Sequence, residues 1–242
     1  MTKTVLPYGP GRQGKKEQVE QMFNNIAHRY DFLNHFLSLG IDKIWRRRLV
    51  KRVAEAHPKE ILDVATGTGD VAIALCALKP SRVTGIDISA GMLEKGRAKV
   101  QRRGLEKMIR LQQADSEHLP FSDRQFDAVT VAYGVRNFEH LELGLQEIFR
   151  VLKPGGLLVV LEFSKPARFP LAQLFRVYFR YILPWVGKLF THDPRAYTYL
   201  PESVQAFPEG PAFEAILRQQ GFQETTCKPL SSGITTLYSA RR

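Results

Sequence analysis

Cysteine is scarce in this chain of 242 residues: Cys76 and Cys227 lie far apart, outside any Cys-x-x-Cys spacing. That excludes a disulfide framework and a thiolate zinc site, and it makes a reducing, cytoplasmic setting the expectation. Cys76 falls in an apparent helix and reads as a small core residue. No window of about 18 apolar residues runs free of charge, so no membrane-spanning helix is expected. The opening stretch MTKTVLPYGPGRQGKKEQ lacks the apolar centre of a secretory signal. No repeat or low-complexity tract is visible, and no histidine or carboxylate cluster has metal-ligand spacing, so no metal is expected. Acidic residues are outnumbered, 24 against 35 basic ones, for a net charge of +11. The excess is concentrated at Arg46-Arg47-Arg48 with Lys51-Arg52, and again from Arg97 to Arg110. Such runs fit a solvated helix face, an anionic membrane surface or a nucleic acid.

What is present is an alternation of two periods. Residues 1–16, rich in Gly, Pro and Lys, read as a loose basic arm ahead of a single domain over 17–242. Residues 17–56 are helical and aromatic, with Met22, Phe23, Ile26 and Tyr30 at helical spacing, then Trp45, Leu49 and Val53. They form an N-terminal helical cap. Beyond them strands and helices alternate: ILDVAT, GDVAIALCAL, SRVTGIDIS, GMLEKGRAKVQRRG, MIRLQQAD, FDAVTVAYG, LGLQEIFRVLK and GGLLVVLEF. That order predicts an α/β fold with a mostly parallel sheet covered on both faces. After the helix AFEAILRQQG, the strands FQETTCKPL and ITTLYSAR flank a Ser-Ser-Gly turn and predict an antiparallel edge hairpin, giving seven strands in all. Residues 166–200 are too long for an ordinary connection and read as a lid insertion.

The stretch ILDVATGTGDVAIAL carries the first chemistry. Gly67-Thr68-Gly69 makes a strand-to-helix turn, a weak dinucleotide-type signal by itself. Asp87, 18 residues after Gly69 at the end of the second strand, strengthens it, because a carboxylate there accepts both ribose hydroxyls of a nucleoside. Asp63 and Asp70 flank the turn. A pyrophosphate would be repelled by them, whereas the ammonium and sulfonium of S-adenosylmethionine would be welcomed. After the third strand, Asp115-Ser116 can meet an adenine edge, the carboxylate accepting from the exocyclic amine.

DVATGTGD, GIDIS, ADSEHLPF, FDAVTVAYGVRN and RVLKPGGLLVVLEFSKP, in that order, resemble a Rossmann-like class I S-adenosylmethionine-dependent methyltransferase. More narrowly, the chain is similar to the quinone C-methyltransferases acting on demethylmenaquinone or on the benzoquinol of ubiquinone synthesis. That resemblance runs from about Val19 to Arg242 and includes FNNIAHRYDFLNHFLSLGIDKIWRR and the late LPES, both more specific than the glycine turn. It implies S-adenosylmethionine as cofactor and a prenylated quinol as substrate. Two departures stand out. Ala65 replaces the first glycine of the turn, and Ala132-Tyr133 occupies the end of strand four where the subfamily has a small polar contact.

A quinol ring carbon becomes nucleophilic when a neighbouring hydroxyl ionises. Arg136 and Asn137, just past strand four, sit where open α/β sheets bind ligands. Arginine keeps its proton, so its roles would be to stabilise a phenolate or orient a water; the alternative is a surface pair with Glu139. Tyr30 and Asp31 would close over the pocket. In FPLAQLFRVYFRYILPWVGKLF, Gln173, Arg176 and Arg180 share a helical face amid aromatics, which fits either a buried cover helix or an interfacial helix facing anionic lipid. The second use would give the positive charge a purpose, as a reversible hold on the inner membrane surface. Nucleic acid is not expected: the chain has neither an (N/D)PP(Y/F) turn after strand four nor a Pro-Cys nucleophile. A dinucleotide oxidoreductase would want a Tyr-x-x-x-Lys pair, which is also absent. The sequence leaves self-association open; the residues do not decide between naphthoquinol and benzoquinol, and the overall resemblance favours demethylmenaquinone, making conversion of demethylmenaquinol to menaquinol the expected reaction.

Overall fold

The computed structural model describes residues 5–11, 13–28, 30, 38, 40–166, 169–178, 181 and 195–242. Seven strands form one sheet in the order β3-β2-β1-β4-β5-β7-β6. The strands are β1 Glu60–Val64, β2 Arg82–Asp87, β3 Ile109–Gln113, β4 Phe126–Ala132, β5 Leu152–Phe163, β6 Gln223–Leu230 and β7 Thr235–Arg241. The first five pair in parallel, and β7 lies antiparallel to both β5 and β6. This is the class I methyltransferase architecture expected above, hairpin included.

The central strands are buried on both faces, as a parallel sheet sandwiched by helices requires. Alternate residues feed two cores. Leu62, Val64, Val129, Val131, Leu158 and Val160 face one side. Ile61, Val83, Ala128, Val159 and Leu161 face the other, against Trp45, Leu49 and Val53. Those three come from helix α2 (Asp42–Ala54), which buries them on one stripe.

Helix α1 (Lys15–Ile26) begins at Lys15, ahead of the boundary drawn from composition, and buries Val19, Met22 and Ile26. The segment before it is tied down by Gln18, whose amide donates to the carbonyls of Gly9 and Gln13 while its oxygen accepts from Tyr8 N. Helix α3 (Asp70–Leu75) is shorter than the apolar run GDVAIALCAL, which finishes as a 3-10 turn over Cys76–Leu78. Helices α4 (Ala90–Arg102) and α5 (Leu141–Val151) complete the crossovers. Strand β5 starts at Leu152, before the glycine pair: Phe126 pairs with Leu152 and Ala128 with Leu157, so the intervening residues form an excursion bonded to Arg242.

Helix α6 (Leu171–Val177) is followed by α7 (Arg195–Ala206) and α8 (Pro211–Gln219). Much of the expected lid, including Arg180, lies outside the described residues, and so do Asp31 and the side chain of Arg176. Gln173 is exposed. No helix among the described residues is long and apolar enough to cross a membrane, and none of them form a group of three or more side chains able to hold a metal.

Candidate active site

A cleft enclosing about 690 Å³, its open mouth included, lies at the C-terminal ends of β1, β2 and β4. Helix α1 roofs it with Lys16, Val19 and Phe23. Tyr30, Gly67, Asp87, Asp115, Ser116 and Asn137 all line it. Thr68, Gly69 and Arg136 are not among the lining residues.

The floor is the turn after β1. Ala65, Gly67 and Gly69 have φ of 54°, 57° and 80°, a left-handed run that brings the backbone up against the cleft. Alanine tolerates that conformation poorly, and its methyl needs room. Gly134 supplies the room: a Cβ there would lie 2.4 Å from the Ala65 Cβ. The departure at the first glycine is therefore matched by a glycine across the cleft floor. Thr68 is buried and accepts from Lys99 Nζ at 3.0 Å, so it shapes the turn from behind.

The two acids flanking the turn are held behind it, not in the cleft. Asp63 is buried, with Thr66 and Thr130 hydroxyls each 2.6 Å from its carboxylate. It staples the turn to β4. Asp70 is paired to Arg46 at 2.5 Å and Lys99 at 2.6 Å. Neither lines the cleft; Asp70 is neutralised by its two cations, while the Asp63 charge is still felt at Asp87. Further residues carry the same conclusion: among the described residues, Asp87, Asp115, Glu117 and Glu139 line the cleft against one ammonium, that of Lys16. Such a lining disfavours a pyrophosphate and suits a cation.

Asp87 is held by backbone, its carboxylate accepting from Gly67 N at 2.8 Å and Ser89 N at 2.9 Å. Burial pushes its pKa up to about 6, with these N–H donors opposing. Burial likewise carries Asp63 up to about 6. Asp115 accepts from Glu117 N at 2.9 Å and pairs with Lys16 at 2.9 Å, so an adenine amine would share this carboxylate with the roof helix. Tyr30 stacks edge-on against Phe23, and its ring edge passes 4.0 Å from where a Gly67 Cβ would be.

Arg136 lies behind the cleft wall. Its guanidinium is 2.8 Å from Glu162, fully buried near the end of β5, and also meets the Tyr133 carbonyl and, at 3.3 Å, Ser203 Oγ. The surface partner considered from sequence, Glu139, instead accepts from Lys15 N at 2.7 Å. Ser203 belongs to the LPES stretch on α7, which gives that motif a local purpose: it braces the turn after β4. Three residues escaped the sequence reading. Glu162 carried a signal, because a carboxylate inside LLVVLEF needs a buried partner. Lys15 Nζ donates to the carbonyls of Arg136 (3.0 Å) and Phe138 (2.7 Å), and Tyr199 donates to Asn137 Oδ1 at 3.1 Å.

The sequence matches the model of a known family over residues 12–242. The chain belongs to the ubiE/COQ5 methyltransferase family. Within similar proteins, the demethylmenaquinone methyltransferase of Bacteroides fragilis is 48% identical over 240 residues, covering 98% of this chain and 97% of that protein. The ubiquinone/menaquinone biosynthesis C-methyltransferase UbiE of Geotalea daltonii is 46% identical, covering 94% and 97%. A SAM dependent methyltransferase of known structure from Aquifex aeolicus superposes with a TM-score of 0.53 at 19% identity, covering 76% of this chain and 81% of that one, and supports the fold alone. Family membership makes the chain an S-adenosylmethionine-dependent methyltransferase, and the cleft is its candidate site.

Proposed function

We propose that this protein methylates a ring carbon of a prenylated quinol, converting demethylmenaquinol to menaquinol with S-adenosylmethionine. The observation carrying the reading is that one continuous cleft contains both Asp87, beside the glycine turn, and Asn137, past β4. Cofactor and acceptor chemistry therefore share a space.

S-adenosylmethionine supplies, when bound, a methyl group already activated by its sulfonium. Gly67 would let it approach the backbone, Asp87 would accept from its ribose, and Asp115-Ser116 would meet its adenine. The acidic lining fits its positive head. What remains for the chain is to hold the quinol carbon in line and to favour the ionised ring hydroxyl; orientation alone is worth about 7–11 kcal/mol. Asn137 and Tyr30 face that space. Arg136 acts through the turn it braces, with its charge set against Glu162.

The benzoquinol reading has its own support, the printed ubiquinone/menaquinone name of the Geotalea relative. An assay with methyl-labelled cofactor, chemically reduced demethylmenaquinone and a demethylated benzoquinol in parallel decides between them. The expected result is label in the naphthoquinol under reducing conditions alone. Label in neither lipid, with cofactor binding intact, overturns the quinol reading.

The protein works in the cytoplasm and reaches its substrate at the membrane surface. Phe169, Leu174, Val177 and Tyr181 are 80%, 62%, 50% and 62% exposed, a group of apolar side chains in the 166–200 lid segment that suits lipid more than water. Co-sedimentation with anionic vesicles should drop when Leu174 and Val177 become Ser; unchanged co-sedimentation removes this face from the interaction.

A further inference from the structure

Asn137 is the one residue expected to be catalytic that both lines the cleft and lies in the turn after β4, and its surroundings fix which way its amide points. Tyr199, on α7, is 2% exposed and its hydroxyl donates to Asn137 Oδ1 at 3.1 Å. A buried phenol must place its proton on something, and no other acceptor for it is recorded among the described residues. Reversing the amide would leave that proton stranded and turn an oxygen towards the cleft. With Oδ1 directed at Tyr199, the NH₂ is the group left to donate to a ligand. The backbone is pinned as well: one ammonium, that of Lys15, bridges the carbonyls of Arg136 and Phe138 on either side of Asn137.

We infer that Tyr199 is a positioning residue that holds the Asn137 carboxamide with its NH₂ turned into the cleft, as a hydrogen-bond donor to the ionising oxygen of an aromatic hydroxyl. This deepens the quinol reading and rests on it for the identity of that hydroxyl. A donor aimed where negative charge develops stabilises the phenolate without reorganising. Tyr199 keeps its proton for this purpose, since burial holds its pKa well above the ordinary tyrosine value. Other groups act on the phenol as well: Arg136 favours its ionisation, Glu162 opposes it. Each is engaged by the other.

The test is Tyr199→Phe, which keeps the ring and removes the proton, read two ways. Turnover with reduced demethylmenaquinone should fall roughly tenfold, less than the 100-fold or more that deleting such a donor outright costs, while cofactor affinity stays within about twofold. The second reading is the ionisation of 1-naphthol bound in the cleft, followed by absorbance against pH. Its pKa should be lowered by the wild type and should rise by about one unit in Tyr199→Phe. Unchanged turnover, or reduced turnover with the naphthol pKa unmoved, overturns the inference and leaves Tyr199 as packing. A wild type that methylates no quinol but shows the Tyr199-dependent naphthol shift supports the hydrogen-bond assignment and sinks the quinol reading, so the two failures are distinguishable.

Discussion

The two halves of the cleft are built by different means. On the β1–β3 side, Asp87 is held by nearby backbone, its carboxylate taking the N–H of Gly67, 20 residues away, and of Ser89, two away, and only Asp115 reaches the N-terminal helix, through Lys16. On the β4–β5 side, Asn137 is held by Tyr199 across 62 residues, and its flanking carbonyls by Lys15 across more than 120. The cofactor half is mainly a property of the strand ends. The acceptor half exists only once the N-terminal helix and α7 have docked. Damage to the second half should therefore reach the chemistry with little effect on cofactor binding, and damage to the first should do the reverse.

The largest effect expected is on the brace. Glu162→Gln leaves the buried Arg136 guanidinium without its counter-charge, and breaking a buried pair from one side costs on the order of 3 kcal/mol. Urea unfolding should show it, with turnover depressed; a loss below about 0.5 kcal/mol would mean the pair is not what holds the turn. Asp87→Ala should weaken cofactor binding by roughly thirtyfold, the loss of charge-assisted acceptors, with turnover at saturating cofactor largely kept. Unchanged affinity in a calorimetric titration would remove Asp87 from the site.

Next in size is a steric exchange between the halves. Gly134→Ala alone should destabilise by about 1–3 kcal/mol because its methyl meets that of Ala65. Adding Ala65→Gly should restore most of the loss; strict additivity in that double-mutant cycle would show the two positions do not touch.

Acid sharpens the comparison further. Cofactor affinity should hold above about pH 7 and fall towards tenfold per unit below the Asp87 value of about 6, as the acceptor is protonated. Stability contributed by the same group moves the other way. A carboxyl whose pKa is raised on folding binds more protons folded than unfolded, so its burial cost is relieved as pH falls through 6 towards 3.8. Affinity and thermal stability falling together over that range would point to acid unfolding instead. The smallest change is Lys16→Met: it frees Asp115 of a half-exposed partner and should tighten cofactor binding by no more than about twofold, since such pairs are weak.

This difference in construction also sets what the sequence could say. Gly67, Asp87 and Asp115 were legible because each stands at the end of its own strand, and strand ends can be read from local periodicity. The mostly parallel sheet and its edge hairpin followed from the same alternation. The partners of Asp70 were not legible, because its salt bridges to Arg46 and Lys99 join helices whose packing no local pattern encodes. Lys15 was assigned to a loose arm on composition, although its ammonium is buried enough to bring its pKa down to about 8. Tyr199 offered no signal of its own, since an aromatic at helical spacing reads as packing.

The most direct test of the division is to measure cofactor affinity and single-turnover methyl transfer on the same preparations of Asp87→Ala and Arg136→Lys. The account predicts that Asp87→Ala loses affinity and keeps its rate at saturating cofactor, while Arg136→Lys keeps affinity and loses rate. Parallel losses of affinity and rate in both variants would contradict it.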